Sequence, residues 1–124
     1  MPLHVPLLDS NRLMAHLDQL KSSHRRPPWI ERVVLTEGFH ITVICQNPGA
    51  PTDRHRHEFE EAWYIVEGEI DWFFEGSADP LHSRAGDFVF APRERYHQLQ
   101  VVGAETSLRI AMGTPNDVHI GERH

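Results

Sequence analysis

Apolar residues recur along the chain in two rhythms, and the change between them falls at a pair of prolines. Before the prolines, Leu13, Leu17 and Leu20 return every three or four residues, and Met14 widens the same stripe. That spacing places side chains on one side of a helix. Ser10 or Asn11 can cap the first turn. A polar run over residues 22–26 and then Pro27-Pro28 end it, because proline cannot continue a helix and biases its predecessor towards extended geometry. The pattern predicts a helix over residues 9–21. So short a helix persists only if its leucine stripe packs on something, here a sheet.

After the prolines the period shortens to two. Residues 29–35 are rich in β-branched and aromatic side chains, and Glu37-Gly38 closes the run. Phe39, Ile41, Val43 and Cys45 then alternate with His40, Thr42, Ile44 and Gln46, as in a strand with two distinct faces. Further strands are expected over residues 55–59, 62–67, 69–74, 87–91, 96–102 and 106–112, with a turn at 47–51 and a loop at 76–80. Many short strands with no helices between them imply a sandwich or barrel and exclude a parallel α/β sheet. The expected organisation is an N-terminal helical segment over residues 1–28, a β-domain over 29–113 and a polar tail over 114–124. No repeat or linker divides the chain.

Composition narrows the function classes. At 124 residues the chain suits one domain, since two would each be too small to bury an adequate core. A net charge of -6 with histidine neutral works against nucleic acid and anionic membranes as partners. No apolar run approaches the length of a membrane span. The first nine residues lack a basic start, and two prolines interrupt their leucines, so they do not read as a signal peptide. Cys45 is the single cysteine, which rules out an internal disulfide and points to a reducing cytoplasm. With no basic cluster beside it, Cys45 reads as a small buried hydrophobe.

Ten histidines are the compositional oddity. Three of them fall into a pattern. His55 and His57 are two apart, so on a strand both side chains point to one side. A turn at residues 58–60 would bring Glu61 back beside them, and Gly68 would let the following hairpin turn tightly. Further on, Gly86, Pro92 and His97 form a second element whose histidine can reach the same pocket. Three imidazoles and one carboxylate form a borderline nitrogen and oxygen donor set, suited to Fe(II), Mn, Ni, Cu or Zn. The remaining histidines (4, 16, 24, 40, 82, 119 and 124) show no ligand spacing and are expected at the surface or behind the ligands.

The stretch from Gly49 to Gly68 resembles the first motif of the cupin superfamily with every signature position filled. The second motif is matched at Gly86, Pro92 and His97. It departs at Glu94, where the family usually has glycine, and at Val101, where it often has asparagine. Neither position is a ligand, so the departures bear on loop shape. The resemblance covers roughly residues 38–112. It implies an all-β, double-stranded β-helix of the jelly-roll type with the short helix outside it, and one divalent metal, Fe(II) favoured, on His55, His57, Glu61 and His97.

Around that site, Trp63 and Ile65 share a strand face with Glu61 and either line the pocket or fill the barrel core. Arg109, in an otherwise apolar strand, either holds a substrate carboxylate from inside the barrel mouth or faces solvent. Trp29, Trp72 and the phenylalanines leave apolar surface that a homodimer would cover. Among metallocupins the resemblance suggests first a dioxygenase acting on a small chelating organic substrate. The alternatives are a metal-dependent isomerase or lyase, and a non-catalytic module that binds a small molecule.

Overall fold

The computed structural model describes residues 11, 13–24, 26–49 and 59–115. One short helix, α1 (Leu17–Ser22), precedes eight strands: β1 (Trp29–Leu35), β2 (His40–Gln46), β3 (Glu61–Glu67), β4 (Glu69–Phe74), β5 (Leu81–Arg84), β6 (Phe88–Ala91), β7 (His97–Val102) and β8 (Ser107–Gly113). They form two antiparallel sheets, one ordered β1-β2-β8-β3-β6 and the other β5-β4-β7. The fold is the expected all-β barrel.

Two apolar clusters hold it together. Trp63, Ile65, Val89, Ala91 and Ala111 from the larger sheet meet Ile70, Trp72, Leu99 and Val101 from the smaller one, which makes the interior. On the outer side of the larger sheet, Val43, Cys45 and Leu108 pack under Leu20 of α1, with Trp29 and Val33 beside them. The only described polar handle of Trp72 is satisfied inside the core: its indole N–H donates to Ser83 Oγ at 2.8 Å, and Ser83 donates on to the Ile70 carbonyl at 2.9 Å. Gly68 joins β3 to β4 with φ of 85°, and a Cβ there would stand 2.7 Å from the Ser107 Cα, so this hairpin admits no side chain.

The structure departs from several expectations and leaves one untested. The helix begins at Leu17, capped by His16, whose ring accepts the Asp18 N–H; Leu13 and Met14 lie outside it and are exposed. Asn11 caps nothing: its amide exchanges hydrogen bonds with the backbone of Leu35 and tethers the segment to the end of β1. The expected strand over 55–59 falls outside the described residues except for Phe59, which is a bend. Strand β5 was not expected, because only Ser83 in it is buried and no apolar alternation marks it. Trp72 needs no partner chain, being fully enclosed in the core, and Trp29 stacks on the His24 ring at 4.1 Å.

Candidate metal centre and barrel interior

The register fixes which side chains share the interior. Trp63 pairs with Ala111 and Val89, and Ala111 pairs with Thr42. One step towards the start of β3, Glu61 pairs with Gly113 and Ala91, and Gly113 pairs with His40. One step the other way, Ile65 pairs with Arg109, and Arg109 with Ile44. Because paired residues point to the same side of a sheet, the inner wall carries His40, Thr42 and Ile44 from β2, Glu61, Trp63 and Ile65 from β3, and Arg109 and Ala111 from β8. On the facing sheet His97 begins β7, with Leu99 and Val101 below it in the core.

Two of the four expected metal ligands are therefore placed. Glu61 is 7% exposed and His97 1%. His97 is held between rings: Trp63 meets it edge-on at 5.4 Å and Phe74 lies tilted at 6.0 Å. Trp63 is thus at once barrel core and a wall of the site, while Ile65 is enclosed deeper in the core. The segments leading into the two residues are also tied together, because Glu60 and Arg93 form an ion pair.

His55 and His57 lie outside the described residues. The flanks of their segment are placed: Gly49 donates its N–H to the Val101 carbonyl at 2.8 Å, beside β7, and the chain re-enters at Phe59 just before Glu61. Among the described residues alone no group of three or more histidine, cysteine, aspartate or glutamate side chains could hold a metal.

Two inner-wall residues escaped the sequence reading. His40 is buried, its Nδ1 2.9 Å from Thr42 Oγ1. Gln46 accepts a hydrogen bond from Arg109 Nη1 at 2.6 Å. The alternation in β2 did contain them, but both faces of that strand are covered, the apolar set by α1 and its cluster and the polar set by the barrel. Arg109 itself faces inward and is 2% exposed, so the solvent-facing alternative does not hold. Burial pulls its pKa down to about 10, partly opposed by the charge of Glu61. Cys45 is buried under α1, and that burial pushes its thiol pKa up.

Fold, register and inward-facing residues define a small jelly-roll barrel with a polar site on its inner wall. The chain matches the Cupin domain family over residues 42–112, more than half its length, and belongs to that family. No curated protein matches it by sequence. Among solved structures it is similar to an uncharacterized conserved protein with a double-stranded β-helix domain from Klebsiella pneumoniae (22% identity, TM-score 0.69, covering 84% of this chain and 90% of that one). KdgF from Halomonas sp. is 24% identical with a TM-score of 0.63, covering 69% of this chain and 76% of its own. The DMSP lyase DddQ from Ruegeria pomeroyi is 23% identical with a TM-score of 0.58, over 64% of this chain and 39% of the other. At such identities the likeness is one of fold. Among the described residues no helix is long and apolar enough to cross a membrane.

Proposed function

We propose that this cupin is a metal-dependent enzyme in which His55, His57, Glu61 and His97 hold one divalent cation. Its reaction class is Fe(II)-type dioxygenation of a small chelating organic substrate. The observation that carries this reading is the burial of Glu61 and His97 on facing walls of one barrel. A carboxylate and an imidazole taken out of water are costly to keep unless something polar or charged answers them. A divalent cation would do so for both at once, beside the other interaction that each makes; the donor set suits Fe(II), Mn, Ni, Zn or Cu, and the resemblance to metallocupins favours Fe(II).

When bound, the ion would supply Lewis acidity and electron chemistry. The chain's own residues do the rest. Trp63 and Phe74 fix the plane of the His97 ring, and the Glu60–Arg93 pair holds the approach to Glu61 against the approach to His97. The aromatic and aliphatic wall below excludes water from the substrate.

His40 favours a second reading, a metal-dependent isomerase or lyase. It is a buried imidazole on the inner wall, in the same cross-strand row as Glu61, and could move a proton on a bound substrate. The two readings separate in one experiment. Protein purified without added metal or chelator is assayed for metal, loaded anaerobically with Fe(II), and offered catechols and β-diketones. Oxygen uptake that tracks iron supports the dioxygenase, and anaerobic turnover supports the isomerase or lyase. Binding without turnover leaves a small-molecule-binding cupin. The ligand set is tested separately by metal stoichiometry in the His55→Ala, His57→Ala, Glu61→Ala and His97→Ala variants, where each should sharply reduce retention. A His97→Ala variant that holds metal as wild type does would overturn the assignment.

A further inference from the structure

We infer that Arg109 forms an anion site inside the barrel, so that the molecule taken up beside the metal positions is a small carboxylate; this rests on the reading of the interior as a substrate site and names the substrate class. Arg109 is nearly inaccessible to solvent, yet its partners do not match its charge. Nη1 donates to the neutral amide oxygen of Gln46, and the buried Nε finds no hydrogen-bond partner. Among the described residues, Glu61 is the carboxylate whose charge reaches it, and no hydrogen bond joins the two. A guanidinium in that state stays ionised at neutral pH and has donor capacity unused in a dry site. Its planar fork is the geometry that a carboxylate matches with two parallel hydrogen bonds.

The wall around it gives a polar approach. From Arg109 towards the Glu61 end, β8 presents only Ala111 and Gly113 to the interior, and the neighbouring β2 presents Thr42 and His40. The other walls carry Trp63, Ile65, Trp72, Leu99 and Val101. One side of the barrel is therefore low and polar from its Glu61 end down to the guanidinium, while the walls of Trp63, Ile65, Trp72, Leu99 and Val101 below Glu61 and His97 are apolar. That asymmetry suits a small molecule with an acidic group at one end and a chelating or apolar body at the other. Were Arg109 only a tie to Gln46, the tie would be met by a neutral donor and the charge would serve nothing.

The test uses acetate, glycolate and benzoate, each paired with its neutral amide, at fixed pH and ionic strength on protein stripped of metal. Binding is read from the fluorescence of the interior residues Trp63 and Trp72 and from the melting temperature. At least one acid should bind about tenfold or more tightly than its amide, the scale of one charge-assisted hydrogen bond over a neutral one. Arg109→Met should erase that preference without lowering the melting temperature of the ligand-free protein, since it removes a desolvated charge. If Arg109→Met does not fold, Arg109→Lys keeps a point charge without the fork and should weaken the preference severalfold. Acids and amides binding alike in wild type, or a preference that survives either replacement undiminished, overturns the inference. Metal uptake is measured on the same samples after reloading. In wild type, no acid preference with intact uptake rejects the anion site alone, and an acid preference with no uptake rejects the metal reading alone.

Discussion

The guanidinium of Arg93 grips the carboxylate of Glu60 with two hydrogen bonds, Nε to Oε2 at 2.9 Å and Nη2 to Oε1 at 3.2 Å. The pair spans 33 residues of sequence and joins the position before Glu61 to the loop that leads into His97. Bidentate pairing of this kind fixes orientation as well as distance. Both side chains are substantially exposed, so the clamp adds little to global stability. In the proposed metal site its value would lie in spacing Glu61 and His97. Glu60→Gln or Arg93→Ala should leave the melting temperature of the metal-free protein nearly unchanged and weaken metal binding about tenfold, the usual cost of losing a group behind a ligand. Competition against a chromogenic chelator measures it, and unchanged affinity would remove the clamp from the site. Arg93 holds the Glu60 carboxyl below the usual carboxylate range. The clamp's contribution is therefore full above the unfolded value and fades only as the pH falls through the lowered one.

Glu94 occupies a left-handed backbone conformation, φ 63°, at the position where the sequence departs from the glycine usual in the motif. A side chain with a Cβ costs about 1–2 kcal/mol in that region, while glycine costs about 0.5–1 kcal/mol of extra chain entropy. Glu94→Gly should therefore be neutral or raise stability by up to about 1 kcal/mol, read from the urea midpoint. Glu94 also takes part in an interaction of its own, so a loss of stability instead would mean that this interaction outweighs the backbone strain.

His82 stands between two carboxylates on the outer side of the smaller sheet, Nδ1 2.6 Å from Asp71 Oδ1 and Nε2 3.1 Å from Glu69 Oε1. The hydrogen bond to Asp71 chiefly, with the charges of Asp71 and Glu69, raises its pKa above the ordinary 6.5. The protonated ring is thus favoured by folding. Its stabilising contribution is complete below the unfolded value and is lost as the pH rises through the higher folded one. His82→Gln should flatten the stability profile above pH 6.5 and leave metal content alone. An NMR titration of His82 with a midpoint at or below 6.5 would contradict the pairing.

We propose a homodimer, carried by the phenylalanines and not by the tryptophans. Strand β6 ends the larger sheet, and its Phe88 and Phe90 are 76% and 57% exposed. Phe88 lies against the Tyr64 ring at 4.7 Å, so the aromatic surface continues onto β3. An uncovered aromatic edge strand invites association. Light scattering should give twice the monomer mass at micromolar concentration, and the double change Phe88→Ser, Phe90→Ser should give a monomer that keeps its melting temperature. A monomeric wild type rejects the proposal.

Much of the fold was legible because a strand with one buried face writes a period of two into the sequence. β1 and β4 start and end where the pattern placed them, β2, β3, β6 and β7 differ by a residue at one end, and β8 is shifted by one residue at both. The pattern failed where burial and hydropathy parted. Leu13 and Met14 carry helical spacing but lie exposed before the cap at His16, so the helix was drawn too long. In β5 almost nothing is buried, so nothing marked it. At the site, the spacing of Glu61 and His97 was informative because a motif relates positions that the fold brings into one barrel. Spacing alone left the direction of Arg109 open. His40 went unrecognised because its strand is covered on both sides, and a polar residue in such a strand gives no hint of which side it faces.

The strand order carries a consequence for synthesis. β8 lies between β2 and β3 in the middle of the larger sheet, although it follows all the other strands in sequence. Until residue 113 leaves the ribosome, β2 and β3 each lack a neighbour and Arg109 is absent from the interior. The barrel therefore cannot close strand by strand during translation. The partners of β8 are more than 40 residues away along the chain, so closure waits on long-range pairing, which is slow compared with helix or hairpin formation. A nascent chain stalled before β8 would expose two unpaired edges and half of an open apolar core, the state in which this protein is most in need of a chaperone.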